Sequence, residues 1–533
     1  MTRLVLAATV AVVCAAVPAQ AQRTRVTPYI EASQVLVSDL TNGGDLLTYS
    51  TIGAGIDAQV TTRRVEVQVS YQYEHRFSYD KDLADDSMHS GLAQARVRIT
   101  PDLTFEAGAI AARGRSDIRG DAFATSQGNL RNSSQIYSAY AGPSIATRVG
   151  PMFANAAYRF GYTKVEVPNG GTGVPAGQPP LDRYDDSKVH VATASIGAKS
   201  GTVLPIGVTA SGSYTREDAS QLDQRFEGKY ARGDVVLPVG RGIALTAGVG
   251  YEKIEVSQRD ALMSGGAPVI DGNGRFVTDP SSPRRLAYQF DGAFWDGGVI
   301  WRPSSRTFLE ARAGRRYGSM SYTGSATYKI GPGSGVQIGV YDSVETFGQE
   351  LNGSVSRLPT SFVSTTDPFG NQFGGCIYGT TGAAAGGCLN QVFASSVTSA
   401  YRARGVTGVA VLNRGGTRIG VGGGYGRRTF LAPQSVGGVS IDGTSDESVY
   451  AQLFASSDVG RNGSISTSVY GSYYTSDLAG AQGILGYGAN TAYTHMFGPL
   501  GATASLGLFG FDREGDANAS AQAQALVGLR YGF

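Results

Sequence analysis

From Ser520 to Phe533 the chain alternates almost without fault between an apolar and a mostly polar series. One series is Ala521, Ala523, Ala525, Val527, Leu529, Tyr531 and Phe533; the other is Ser520, Gln522, Gln524, Leu526, Gly528, Arg530 and Gly532. Successive side chains of a strand point to opposite faces, so this segment is two-sided. The pattern recurs at Val65, Val67, Val69, Tyr71 and Tyr73, at Ile243, Leu245, Ala247, Val249 and Tyr251, and at Ile465, Thr467, Val469, Gly471 and Tyr473. No apolar run after residue 22 reaches the roughly 20 residues that a membrane-crossing helix needs. A closed barrel is the other way to satisfy every peptide group inside a bilayer. Apolar-outward, polar-inward alternation is its signature.

The period-two pattern predicts about 22 strands across residues 26–533, joined as one antiparallel barrel. Connections after even-numbered strands are short, such as Thr62-Arg63, Pro101-Asp102 and Gly150-Pro151. Those after odd-numbered strands are longer: 78–86, 116–133, 168–186, 257–286 and 346–401, with the thirteenth strand an exception. Short periplasmic turns and longer outer loops give this rhythm, which places both termini in the periplasm. Gly (75 residues) suits tight turns and barrel strands, and Tyr (28) suits interfacial girdles.

Residues 1–21 read as a cleaved signal peptide: Arg3, an apolar run from Leu4 to Val17, then Ala19-Gln20-Ala21. Cys14 does not make a lipoprotein site, because Val13 stands where a small residue is required. The barrel domain is then 22–533, in the outer membrane of a Gram-negative cell, with no room for an N-terminal plug or passenger domain. Without Arg3, the 45 basic residues fall by one against 43 acidic residues. That balance exerts no global pull on nucleic acid. The secreted context favours a disulfide between Cys376 and Cys388 over a metal site with two sulfurs and no nearby His. Closing so short a loop contributes about 3 kcal/mol to its order.

The inward series carries Arg64, Arg76, Arg96, Arg98, Arg159, Arg312 and Arg530, with Asp57, Glu66, Glu74 and Glu310 among them. Arg64, Glu66, Arg96, Arg98, Arg159, Glu310 and Arg312 are the candidate pore lining. Mixed signs on neighbouring strands favour a salt-bridge network that stiffens the wall, and the two roles can coexist. The Gly-, Ser-, Thr- and Ala-rich segment 346–401 is either an exposed loop or, given its cysteine pair, an ordered constriction in the lumen. His75 and His89 fall on the lipid face at the outer rim, beside an acidic run of Asp80, Asp82, Asp85 and Asp86. Contact with lipopolysaccharide headgroups fits the two imidazoles better than a metal site; the acidic run is by default a solvated loop and alternatively holds divalent cations that bridge lipid phosphates. Asp271-Gly-Asn-Gly lacks the remaining ligands of a calcium loop. With four His in all, no nucleophile–base–acid set can be assigned, and there is no nucleotide fingerprint. The chain is read as a non-enzyme without cofactor.

Several stretches resemble outer-membrane barrels of sphingomonad-type alphaproteobacteria: V-T-P-Y-I-E from Val26, T-T-R-R-V-E-V-Q-V-S-Y from Thr61, H-S-G-L-A from His89, R-S-D-I-R-G from Arg115 and A-Y-R-F-G-Y-T-K-V-E from Ala157. The ending G-L-R-Y-G-F resembles the C-terminal signal read by the barrel-assembly machinery, through Gly528, Tyr531 and Phe533. Members of the group can bear the name of an accessory subunit of the preprotein translocase, a short protein with one membrane helix. Nothing in this chain supports that role. The resemblance is to a porin-like lineage and, by analogy, to barrels linked to polysaccharide export. The expected function is a pore for small polar solutes, saccharides among them. The alternatives are a polysaccharide-export conduit and a structural or adhesion barrel with a blocked lumen. The expected partners are outer-membrane lipid and lipopolysaccharide, the assembly machinery and small solutes.

Overall fold

The computed structural model describes residues 23–41, 46–79, 85–116, 132–167, 181–369, 372–380, 385–394, 396–433, 441–515 and 519–533. The expected leader, together with Asp80 and Asp82, lies outside the described residues. Twenty-two strands form one antiparallel sheet in which each strand pairs with its neighbours along the chain. The first strand, Arg23–Asp39, also pairs with the last, Ser520–Gly532, in a register running from Tyr29↔Gly532 to Asp39↔Gln522. That pairing closes the ring, so neither terminal strand is left as an edge.

Strand positions follow the alternation closely. The expected strands 64–77, 242–256 and 463–475 are Val65–Ser78, Ile243–Gln258 and Gly463–Ser476. The ninth strand departs from expectation. It was expected at 203–216 and is Gly207–Ala219. Val203 and Leu204 mimic strand composition, but Gly201 N–H donates to Leu204 C=O at 2.7 Å in a turn, and Pro205 has no N–H for a ladder.

The outer face carries the membrane belt. Val249, Ile338, Val469, Leu506 and Val527 are exposed between two aromatic rims. One rim, toward the long loops, includes Tyr251, Trp295, Tyr322, Tyr425 and Tyr487; the other, toward the short turns, includes Phe105, Trp301, Tyr328, Phe497 and Phe533. Along single strands the rims stand six residues apart at Trp295/Trp301 and Tyr322/Tyr328, and ten apart at Tyr487/Phe497. This is the architecture of an integral outer-membrane β-barrel. Above the first rim, Lys229, Lys253 and Glu255 face outward, so the tenth and eleventh strands, Arg225–Gly240 and Ile243–Gln258, rise beyond the belt.

The thirteenth connection is the two-residue turn Tyr317-Gly318, with φ +53° and +73°. Two left-handed residues in succession match the right-handed twist of a tight hairpin. Arg285–Trp301 pairs with the short hairpin Thr307–Arg316 to Ser319–Gly331 only from Trp295 on and rises above it.

The longest connection is not irregular. A helix, Phe347–Ser356, is capped by Thr346, whose hydroxyl accepts from Gln349 N–H at 3.3 Å. Three short strands, Phe362–Asp367, Gln372–Gly379 and Gly386–Cys388, form a second sheet, followed by the helical turn Asn390–Phe393. Phe347, Leu351 and Val355, four residues apart, line one helix face and pack on Leu92, Ile110 and Ile136 of the barrel wall.

Substituting Leu506, 70 % exposed on the lipid face, by Arg is expected to cost about 2–4 kcal/mol. Equilibrium unfolding of the variant in phospholipid vesicles measures the loss.

Candidate functional site

The segment between the fifteenth strand, Ser334–Glu345, and the sixteenth, Ala400–Arg414, turns into the lumen and runs its full depth. At the long-loop end, Thr346 donates to Glu217 and Tyr401 to Glu350. Midway, Asn352 Nδ2 donates to Thr163 at 2.8 Å, and Gln94 Nε2 to Val355 C=O at 2.8 Å. Near the short turns, Thr360 donates to Glu66 Oε2 at 2.9 Å. Inward glutamines hold the insert by its backbone. Gln68 both donates to Phe362 C=O (2.7 Å) and accepts from Phe362 N–H (2.9 Å), while Gln452 accepts from Cys376 N–H (3.2 Å). Each pairing satisfies a buried peptide group that would otherwise be left without water.

The opposite wall receives the insert through missing side chains. Cys376 and Cys388 form a disulfide across facing strands of the inner sheet. A Cβ on the inward Gly422 would stand 2.5 and 2.6 Å from their sulfurs, and one on Gly420 would stand 2.7 Å from the Tyr378 ring. The run Gly420-Val-Gly-Gly-Gly-Tyr-Gly426 is thus a bare groove that seats the bridge.

A buried polar knot anchors the root of the insert. Arg428 forks onto Asp446, with contacts of 3.0 and 2.7 Å, and Tyr474 donates to the same carboxylate at 3.0 Å. The Arg428 guanidinium also lies over the Tyr401 ring. Glu350, on the insert helix, is held above the usual carboxylate range by burial, which outweighs the pull of Arg428.

A cavity of about 360 Å³ lies against the wall from the ninth to the fifteenth strand. Tyr230, Arg232, Asp234, Glu310, Arg312 and Ser325 line it. Arg312 binds Glu310 (2.6 Å), Asp234 (2.7 Å) and Asp296 (3.2 Å), and Arg232 binds Asp234 (2.7 Å) and Asp296 (2.6 Å). Two cations thus face three carboxylates in one connected network. Tyr230 stacks on Phe294 at 5.4 Å, with Arg316 set over both rings.

The seven residues expected to line a pore are scattered. Glu310 and Arg312 line this cavity. Glu66 contacts the insert, and Arg159 lies over the Tyr140 ring at 5.5 Å. Arg96 pairs with Glu106 at 2.8 Å. Arg64 and Arg98 are exposed near the short turns, joined through Arg98 N–H to Arg64 C=O. Arg232, Asp234 and Asp296 were missed, although they stand at alternate positions on strands read correctly. Tyr531 and Phe533 are exposed at the short-turn rim, and Gly528 pairs with Ser33. His75 bonds Ser87 at 2.8 Å and His89 bonds Tyr71 at 2.6 Å.

The mouth at the long-loop end carries docked loops. Asp182 is half-buried as a residue, but its carboxyl is enclosed and accepts from Phe276 N–H at 3.1 Å and from Gln221. Arg275 of the same loop reaches Asp185 (2.9 Å) and Val165 C=O (2.7 Å). Burial pushes the Asp182 carboxyl up to about 7.

No protein-family model matches the chain, and no curated protein matches it. Among solved structures it is similar to the FrpB iron transporter of Neisseria meningitidis (10 % identity, 95 % of this chain and 81 % of that one, TM-score 0.40). It is also similar to the ferric-catecholate import receptor Fiu of E. coli K12 (10 %, 95 % and 81 %, TM-score 0.43). A third is OccK7 of Pseudomonas aeruginosa (10 %, 96 % and 99 %, TM-score 0.25). Superpositions this loose add nothing to what the chain's own strand ladder establishes.

Gly422→Val is expected to weaken insert docking by about 1–3 kcal/mol through overpacking. Protease cleavage within 357–390 of the folded barrel should accelerate, while Gly471→Val, where a Cβ meets nothing within 4 Å, leaves it unchanged. The loop dock at Asp182 should be pH-dependent. The carboxyl keeps its proton to about pH 7 when docked and loses it near pH 4 when free. Its contribution is therefore complete below about pH 4 and lost as the pH rises through about 7. Hydrogen exchange at 182–185 and 275–277, corrected for intrinsic rate, should be slower at pH 5 than at pH 8, and Asp182→Asn should abolish the difference.

Proposed function

We propose that this chain is an outer-membrane pore for small polar solutes, in which the insert narrows the lumen and leaves one passage along the ninth to fifteenth strands. The observation that carries this reading is the polar cavity against the ninth to fifteenth strands, lined by Arg232, Arg312, Asp234 and Glu310, whose ion-pair network Asp296 completes. A lumen built only to be closed has no need of a polar cavity beside its plug. The cavity's groups offer donors and acceptors at fixed positions, and its near-balanced charge opposes neither anions nor cations strongly. The full-depth insert favours small solutes over a polymer strand. Saccharides fit this lining, with hydroxyls on paired Arg and carboxylate groups and a ring face against Tyr230. The full depth of the insert also supports a second reading, a barrel closed at rest with its outer loops as the working surface.

Single-channel recording of the refolded barrel separates the two. The pore reading expects small, steady conductance steps that grow when a reductant opens Cys376–Cys388. Silence under both conditions favours the closed barrel. Arg312→Gln leaves Arg232 alone against three carboxylates, so the reversal potential in a salt gradient should move toward cation preference.

A further inference from the structure

The wall has a split. The ladder between Ser319–Gly331 and Ser334–Glu345 runs from Gly331↔Ser334 to Gly324↔Val340 and stops there. Both strands continue. Residues 319–323 remain paired to the thirteenth strand, Thr307–Arg316, and residues 341–345 remain paired to the sixteenth. Across the short hairpin, Arg285–Trp301 pairs with the thirteenth strand only from Trp295 onward. The backbone ring is therefore interrupted on one side, above the rung Gly324↔Val340.

Side chains close the interruption. Arg402 forks onto Asp342 (2.8 and 2.7 Å) and donates to Ser319 Oγ at 2.6 Å, tying the two sides of the split together. Its guanidinium lies 5.0 Å over the Tyr317 ring, which meets Phe290 edge-on at 5.5 Å. Phe290, Tyr288, Val344 and Ala400 belong to one apolar cluster with Tyr317. On the inside, Gly324 and Val340, the last paired rung, line the same cavity as Arg232, Glu310 and Arg312. On the outside, Tyr322 is exposed beside the split, and Trp295 is exposed two strands away across the short hairpin.

That height matters. Unpaired peptide groups are not tolerated against hydrocarbon, but at the headgroup level water satisfies them. The interruption begins just below Tyr322 of the rim toward the long loops and reaches that rim, and it can open without breaking any backbone ladder. Only the Arg402 contacts and the aromatic wedge need to part.

We propose that this split is a lateral portal, latched by Arg402, through which small amphipathic solutes pass between the headgroup layer and the lumen cavity. The polar end of such a solute suits the Arg232–Glu310–Arg312 cavity, and its apolar end suits Tyr288, Phe290 and Val344. The proposal rests on the lumen acting as a passage, and adds a second way into it.

The test uses the full barrel in proteoliposomes, with uptake of p-nitrophenyl-β-glucoside measured per folded barrel against empty vesicles. Arg402→Ala should raise uptake severalfold. A Ser321→Cys/Ser343→Cys pair sits where the next rungs of the ladder would fall. Bridging it with a short bis-maleimide should reduce uptake severalfold while leaving potassium chloride conductance unchanged. Uptake that is indifferent to the bridge overturns the portal, as does absence of uptake in both the native barrel and Arg402→Ala. Uptake that responds to the bridge in a barrel without ion conductance keeps the portal and removes only the axial pore.

Discussion

Inside a bilayer no water is present to satisfy a peptide group, so every strand needs a partner on both sides. This single requirement closes Arg23–Asp39 onto Ser520–Gly532 and fixes one continuous ring. The alternation of side chains then has only two destinations. The exterior takes Val469, Leu506 and Val527, and the interior takes the glutamines, arginines and carboxylates. The place where the requirement lapses, above Gly324↔Val340, begins just below Tyr322 and reaches the rim toward the long loops, where water is again available.

The lumen behaves in part like the core of a soluble domain. The insert supplies Phe347, Leu351 and Val355 to a cluster with the wall, and its peptide groups are taken up by Gln68, Gln94 and Gln452. Where glutamines hold, the wall is polar; where the disulfide and Tyr378 lie, the wall is glycine. Attachment is therefore by complementary shape on one side and by backbone capture on the other. The buried Arg428–Asp446 pair with Tyr474 fixes the root, because a lone charge at that depth would be costly.

The remaining wall is different in kind. From the ninth to the fifteenth strand, charges that might have faced the insert instead face one another around a cavity. Their arrangement as a network keeps the lining polar without a strong net sign. The short Tyr317-Gly318 turn sets how high this wall rises, and so places both the cavity and the split beside the same hairpin.

Most of the barrel was legible from the chain. Period-two alternation sets strand identity and facing because a strand has only two faces. Where Val203 and Leu204 misled, local apolar composition hid a proline that cannot join a ladder. The helix in the insert was legible in principle, since Phe347, Leu351 and Val355 recur at helical spacing, but glycines and serines around them masked it. The partnership of Cys376 with Cys388 was readable from compartment and count. What the sequence could not settle is which inward residues meet the insert and which meet solvent. Arg159 and Arg312 look alike along the chain, yet one lies over Tyr140 beside the insert and the other lines the cavity. Alternation is a property of one strand, whereas occupancy of the lumen depends on a segment far away in sequence folding against many strands at once. The sequence by itself determined a closed, membrane-spanning ring; only the tertiary structure decided which part of its interior is filled, which is open, and where the wall is held by side chains instead of backbone.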